Sequence, residues 1–416
     1  MSLAVAEAAG RYGHVMFPRN LHAPAVVLSR FLLSNRGPGF SWAQRVFFSD
    51  DGSTAMEIAM KMAFRLSEAR SPSRPGAECI VLSQAGAYHG DTLGTMNTAP
   101  ASVFNAAQHP WYDCRARVLQ VPTVSVRRGQ LCIDAEALDD PQIASALSLP
   151  ESAVSSRSSL LDMPMRIKDC PALVLAYRAH IAAALEECAA QGKHVGALLM
   201  EPLMLGAGGL VFLDPLFQKV LVQECKSRGI PVVFDEVAVG MWRLGQVSTS
   251  RVLEETPDIA AYGKMLTGGY LPLSVTLASA ETFGAFLGGD LSKALLHGHS
   301  FTANPIACAA ALEAVRLLEN KAHADGGGGG GGGGGCCGAV AVAGAVAIRE
   351  PGRHVAADKL RKPGARPEPP APRAGGSLGG GGGSAGRAVG HHTVHHGLPV
   401  ARTVQLANFT RTGVRR

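Results

Sequence analysis

The 416-residue chain has no run of eighteen or more apolar, uncharged residues, which excludes a membrane-crossing helix of ordinary composition. It has no CxxC pair. Its nine cysteines are scattered without the spacing of a disulfide framework, which points to free thiols in a reducing compartment. Met1 to Gly10 hold no basic segment followed by an apolar core, so no secretory leader is visible, and the chain reads as starting inside a domain. Aromatics are sparse at 6%, while the hydrophobic fraction is 47%, a balance that suits an α/β enzyme rich in Ala, Val and Leu.

The net charge of +6 does not mark a nucleic-acid binder. Residues 326–416 hold twelve Lys or Arg against three Asp or Glu, so the remainder carries 27 basic and 30 acidic residues. The basic excess therefore lies in the tail, and the globular part offers no cationic surface of the kind a phosphate backbone requires.

The same boundary divides the chain by composition. Residues 1–325 alternate short apolar runs with amphipathic stretches, the pattern of α/β architecture. Ile80 to Ser83, Val195 to Met200 and Pro231 to Phe234 read as buried strands. Thr54 to Ala69 reads as a helix, with Glu57, Lys61, Arg65 and Glu68 on a polar stripe and Met56, Ala59, Met60, Ala63 and Phe64 on the buried side. Ser145 to Lys168 is Ser-rich and weakly patterned, and reads as an insertion or long loop. At Gly326 ten consecutive glycines begin, followed by Cys336-Cys337 and segments rich in Pro, Gly, Arg and His. Such a composition buries too little apolar surface to offset chain entropy, so 326–416 is expected to be disordered, or mistranslated. His391, His392, His395 and His396 have a metal-binding spacing, but the flanking Gly and Pro deny them a helix, so no metal site is expected.

Five clusters carry potential chemistry, each with a plainer structural alternative. In Pro231-Val-Val-Phe-Asp-Glu-Val237 an apolar strand ends in two carboxylates; Asp235 could hold a cation at a strand end, or simply cap the next helix. Lys264 follows the apolar run Ile259 to Ala261; a lysine against an apolar wall has a lowered pKa and can form an imine, whereas a turn lysine on the surface is commoner. Asp51-Gly52-Ser53-Thr54 opens the helix, where free N–H groups favour a phosphate, or where Ser53 is a bare cap. Tyr88, in Ala87-Tyr-His-Gly-Asp91, could lie against an aromatic cofactor or be a loop residue. His297 to Pro305 is a polar loop before the Ala-rich helix Ile306 to Leu318.

In this order, with 29 residues from Asp235 to Lys264, the clusters resemble the class III (ornithine-type) aminotransferases. Phe48 to Ala55, Gln108 to Tyr112, Glu201-Pro202 with Gly206 to Gly209, Met241 to Gly245 and Leu295 to Ser300 narrow the resemblance to the 7,8-diaminopelargonate-forming branch of biotin synthesis, in its plant and fungal form fused to a dethiobiotin synthetase. That branch has a long insertion before the strand Gly196 to Pro202, consistent with the Ser-rich stretch.

The resemblance, over roughly residues 8–320, implies a fold-type I, three-layer α/β/α large domain with a mainly parallel sheet. It implies pyridoxal 5′-phosphate (PLP) held as an imine by Lys264, with Asp235 on the pyridine nitrogen and Tyr88 stacked on the ring. Gly52, Ser53 and the partner subunit's Ser300 would hold the phosphate, and Glu201 would lie near the phenolic side or in the substrate cleft. S-adenosylmethionine would donate the amino group and 8-amino-7-oxononanoate would accept it, in a mitochondrial homodimer. An ornithine- or γ-amino-acid-type activity is the alternative, as is a catalytically incomplete PLP-binding remnant, because the family's N-terminal substrate-binding segment and C-terminal small domain have no recognisable counterpart here.

Overall fold

The computed structural model describes residues 1–17, 20–72, 76–107 and 110–326. The expectations for the tail beyond Gly326, including its histidines, and for Gln108 and His109 lie outside the described residues. Among the described residues no helix is long and apolar enough to cross a membrane.

Seven strands form one sheet: β1 (Ala43–Ser49), β2 (Glu78–Gln84), β3 (Ala116–Leu119), β4 (Lys193–Met200), β5 (Val232–Asp235), β6 (Ile259–Tyr262) and β7 (Ser274–Ser279). Their spatial order is β1-β7-β6-β5-β4-β2-β3. From β6 through β3 every neighbouring pair is parallel. Only β7 runs the other way, antiparallel to both β1 and β6.

Successive side chains of a strand point to opposite faces, and that period of two separates two cores. Val81, Ala197, Leu199, Val233, Ile259 and Ala261 pack under α3 (Gly52–Arg70). Ile80, Leu82, Leu198, Met200, Val232, Phe234, Ala260 and Tyr262 face the opposite layer. There α2 (Ala23–Leu33), α4 (Pro171–Ala190), α5 (Pro215–Ser227) and α6 (Pro305–Gly326) supply Leu28, Leu32, Tyr177, Phe217, Leu221 and Cys308. The result is the expected three-layer, mainly parallel large-domain fold. Burial on both faces explains why β4 and β5 read as continuous apolar runs rather than alternating ones.

One reading of local sequence needs correction. The Ser-rich stretch is not an irregular loop: Arg157–Leu161 and Met163–Asp169 are helices, the first closed by a capping box between Ser156 and Ser159. Serine there starts a helix rather than preventing one. Its Arg166 is buried and ion-paired with the fully buried Asp214, which also accepts from the Tyr177 hydroxyl at 2.9 Å. In α3 the stripe from Glu57 to Glu68 is only partly solvated. Glu57 turns inward to accept from Thr92 Oγ1 at 2.6 Å and Gly94 N at 2.8 Å, and Arg65 lies over the Phe286 ring.

Candidate active site

The parallel strands and the reversed β7 bring their functional ends to one edge of the sheet. Residues just beyond β1, β2, β4, β5 and β6, together with the segment leading into β7, line one cavity of about 510 Å³. This is where ligands bind in open α/β sheets. The lining includes Gly52, Ser53, Tyr88, His89, Glu201, Asp235 and Lys264. Of the site residues expected from sequence, only Ser300 is not among those lining it; Ser300 is exposed, on the loop between Leu295 and α6.

The Gly52-Ser53 corner forms one side of the cavity. Asp51, not Ser53, caps α3: its carboxylate accepts from Thr54 N and Thr54 Oγ1, both at 2.9 Å. The capping role considered for Ser53 is therefore taken by its neighbour. Ser53 sits inside the first turn, where amides have no intrahelical acceptor, and its hydroxyl accepts from Asp91 N at 3.2 Å. Glycine is required at two close approaches. A Cβ on Gly52 would lie 2.7 Å from Val237 Cγ1, and one on Gly90 would lie 2.7 Å from Ser53 Cα, with Gly90 at φ +127°. Two carboxylates stand at this corner. Asp51 is spent on the cap, and Asp50 faces His299 Nε2 at 3.5 Å; desolvation pushes the Asp50 carboxyl above its ordinary range despite that histidine.

The floor is a cluster of buried titratable groups. Asp235, at the end of β5, accepts from His89 Nδ1 at 2.8 Å and from Val237 N at 3.2 Å. His89 is fully buried and its Nε2 has no partner. Desolvation alone would depress its pKa, but the bond to Asp235 and the charges of Asp235 and Glu201 outweigh it, and the net shift is upward. Glu201 is buried at the end of β4; it accepts from Tyr88 N at 2.9 Å through one oxygen and from Gly206 N at 2.8 Å through the other. Burial, with Asp235 nearby, raises its carboxyl to about 7. Glu236, the second strand-end carboxylate, points away: it bonds Ser248 Oγ, Thr249 N and Tyr262 OH and serves the core.

Tyr88 is half-buried at the wall, its ring edge-on to Phe104 at 5.5 Å between centroids. Lys264 opens a short 3-10 turn immediately after β6, at φ +43°, a conformation that a non-glycine residue holds at a cost of about 1–3 kcal/mol and that clusters at functional sites. Its side chain is exposed to the cavity. Sequence reasoning named Tyr88 but gave no part to His89, one residue on, or to Val237. An apolar neighbour carries no sequence signal; the histidine carried one only through its place in the Tyr-His-Gly cluster. Trp111 and Trp242, used above to narrow the resemblance, do not line the cavity: Trp111 is exposed, and Trp242 packs beside Phe31.

Comparison with known proteins places the chain in a family. The profile of the family described as Aminotransferase class-III matches residues 2–130 and 146–326. Since matching resumes at 146, the Ser-rich stretch belongs to the matched sequence, and the unmatched residues precede it. The bifunctional dethiobiotin synthetase/7,8-diamino-pelargonic acid aminotransferase, mitochondrial, of Oryza sativa subsp. japonica is 42% identical over 330 residues, covering 74% of this chain and 38% of that protein. The adenosylmethionine-8-amino-7-oxononanoate aminotransferase of Synechococcus elongatus is 32% identical over 319 residues, covering 76% of this chain and 62% of that protein. Among solved structures, the PLP-bound form of an amine transaminase from an uncultivated Pseudomonas species superposes with a TM-score of 0.57 at 25% identity, covering 77% of this chain and 62% of that one. The chain thus spans less than two thirds of the length of these relatives.

Proposed function

Since the chain belongs to the class III aminotransferases, we propose that it binds PLP in the strand-end cavity and transfers an amino group from S-adenosylmethionine to 8-amino-7-oxononanoate, the diamine-forming step of biotin synthesis. The observation that carries this reading is the convergence of Lys264, Asp235, Tyr88 and the Gly52-Ser53 helix start on one cavity. The choice of substrates rests on the relatives' names.

The residues fit the cofactor. Free amides and a hydroxyl at Gly52-Ser53, on the positive end of the α3 dipole, suit a phosphate. Asp235, anchored by His89 and Val237 N, presents a fixed carboxylate to a protonated ring nitrogen. Tyr88 offers its ring as a cover, and Lys264 an amine at the mouth of the same space. When bound, PLP supplies an electron-accepting ring that stabilises negative charge at the substrate carbon. Asp235 holds the ring nitrogen's proton, and His89, donating through Nδ1, fixes the carboxylate's orientation. Lys264 anchors the cofactor and, once displaced by substrate, moves a proton at the reacting carbon from its Nζ. The working unit is a homodimer in the mitochondrion, in which the partner subunit's Ser300 completes the phosphate site. Exposed Leu296 and Phe301, flanking Ser300 in sequence, give that loop an apolar surface to bury.

The test is titration of the purified chain with PLP, followed by visible absorbance. A band should appear that Lys264→Ala abolishes. Amino transfer from S-adenosylmethionine to 8-amino-7-oxononanoate should then exceed transfer from ornithine or a γ-amino acid. Absence of any PLP band, or its persistence in Lys264→Ala, refutes the cofactor assignment; preference for ornithine refutes the substrates.

A further inference from the structure

Glu201 lines the floor of the cavity, where each carboxylate oxygen holds a backbone amide from a different lining loop, Tyr88 N on one side and Gly206 N on the other. The surrounding structure leaves it little freedom. Its own N–H donates to Gln84 Oε1 at 3.0 Å and its carbonyl accepts from Gln218 Nε2 at 3.0 Å. A Cβ on Gly206 would already come within 3.3 Å of Glu201 Oε2.

We propose that Glu201 is a proton-linked clasp: part of the population holds a proton there while the site is empty, and that proton is released to solvent when a cationic ring is seated on Asp235, thereby tightening the hold of Glu201 on the Tyr88 and Gly206 loops. This rests on the PLP reading above. The argument is electrostatic and steric. Two carboxylates, Asp235 and Glu201, share one buried space with a single histidine, His89, bonded to the first. The groups facing Glu201 are therefore Asp235 from β5, which opposes its ionisation, and His89 from the loop after β2, which favours it. Lys264, beyond β6, lines the same cavity. Burial and Asp235 together hold the Glu201 carboxyl up at about 7. A cation on Asp235 cancels that repulsion, so the ionised form becomes the favoured one. Ionised, both Glu201 oxygens accept charge-assisted hydrogen bonds, which are roughly twice as strong as neutral ones. The loops clasped are the ones bearing Tyr88, which would cover the ring, and Ala207, another lining residue.

The sign of the linkage follows. A group protonated in the empty site and ionised in the loaded one weakens PLP binding at pH below its free pKa and has no effect well above it. With a free value of about 7, PLP affinity should rise between pH 6 and pH 8 from this group alone, by at most about tenfold. Free PLP titrates too, so the measured quantity is the ratio of wild-type to Glu201→Gln affinity at each pH, in which the ligand's own contribution cancels. That ratio should rise over the interval, by up to about tenfold. In wild-type protein, infrared difference spectra at pH 7 should show loss of the carbonyl stretch of a buried carboxylic acid on adding PLP. This second readout needs no variant, and so survives misfolding of Glu201→Gln. Normal PLP binding with a flat affinity ratio, or with no loss of the acid band, overturns the clasp and leaves the cofactor assignment intact. Failure of wild-type protein to bind PLP at all overturns both.

Discussion

Replacing Arg166 by Met should unfold the protein far more readily than its distance from the cavity suggests. Arg166 and Asp214 are 4% and 0% exposed, and their ion pair fastens the helix Met163–Asp169 to the start of α5. Methionine keeps most of the aliphatic stem but leaves the Asp214 carboxylate buried with only the Tyr177 hydroxyl and Leu216 N as donors. Removing one partner of a buried pair costs about 3–5 kcal/mol, most of it the stranded charge rather than the lost attraction. At ~2–4 °C per kcal/mol for a large domain, Tm should fall by roughly 6–20 °C. The stranded-charge explanation makes a sharper claim about the double variant. Asn at 214 retains an oxygen for the α5 cap and for Tyr177 while discarding the charge, so Arg166→Met/Asp214→Asn should be more stable than Arg166→Met alone. Thermal and urea unfolding followed by circular dichroism would measure both. A single variant within ~1 kcal/mol of wild type, or a double variant that is simply the sum of two losses, would refute the reasoning.

Gly90→Ala should lose PLP affinity by at least about tenfold and destabilise the fold, since the new Cβ meets Ser53 Cα at 2.7 Å from a backbone at φ +127°, a strain of order 1–3 kcal/mol; equilibrium titration and a thermal melt check it. Acid should weaken the anchor between α3 and the short helix Ala280–Gly284 after β7. The hydrogen bond from Arg70 lowers the Glu281 carboxyl below its ordinary 4.5, so its contribution is complete above that pH and is lost as pH falls through the lowered value. Glu281→Gln should therefore narrow the stability difference between pH 7 and pH 3 in urea melts. Cys225 is fully buried, with its thiol pushed up to about 12, so thiol reagents should spare it in native protein while labelling exposed Cys79 and Cys114; mass spectrometry of the labelled peptides would show the order.

What sequence revealed was set by element boundaries. Asp235, Lys264 and the Gly52-Ser53 turn each stand where an apolar run or a helix begins or ends, and a boundary is a local event that composition marks. The strands β4 and β5 were legible for the same reason. The roles of His89 and Glu201 were not, because they depend on approach across the fold: the His89–Asp235 bond joins residues 146 positions apart, and Tyr88 N meets Glu201 across 113. No periodicity encodes such a meeting. Residues 145–168 misled in the opposite sense. Serine lowers helix propensity in isolation, yet here it caps, and nothing local to Arg166 discloses that its charge is buried against Asp214. The reversed direction of β7 also left no trace in its sequence, since an apolar strand reads alike both ways.

That reversal governs when the cavity can exist during synthesis. β6 and β7 are near neighbours in the chain and pair locally, from Tyr262 with Val275 to Ile259 with Ala278, so the segment bearing Lys264 can close as soon as both have left the ribosome. β1, which delivers Gly52 and Ser53, has no other strand partner in the sheet and must wait for β7. The hydroxyls of Ser49 and Ser274 meet at 2.8 Å across 225 residues of chain. Contacts of such long sequence separation form slowly, after loop-closure entropy has been overcome. A nascent chain stalled before Ser279 would hold the Asp235 half of the cavity without the Gly52-Ser53 corner. Its β1 edge would lie open to pairing with other chains, the exposure that chaperones exist to shield.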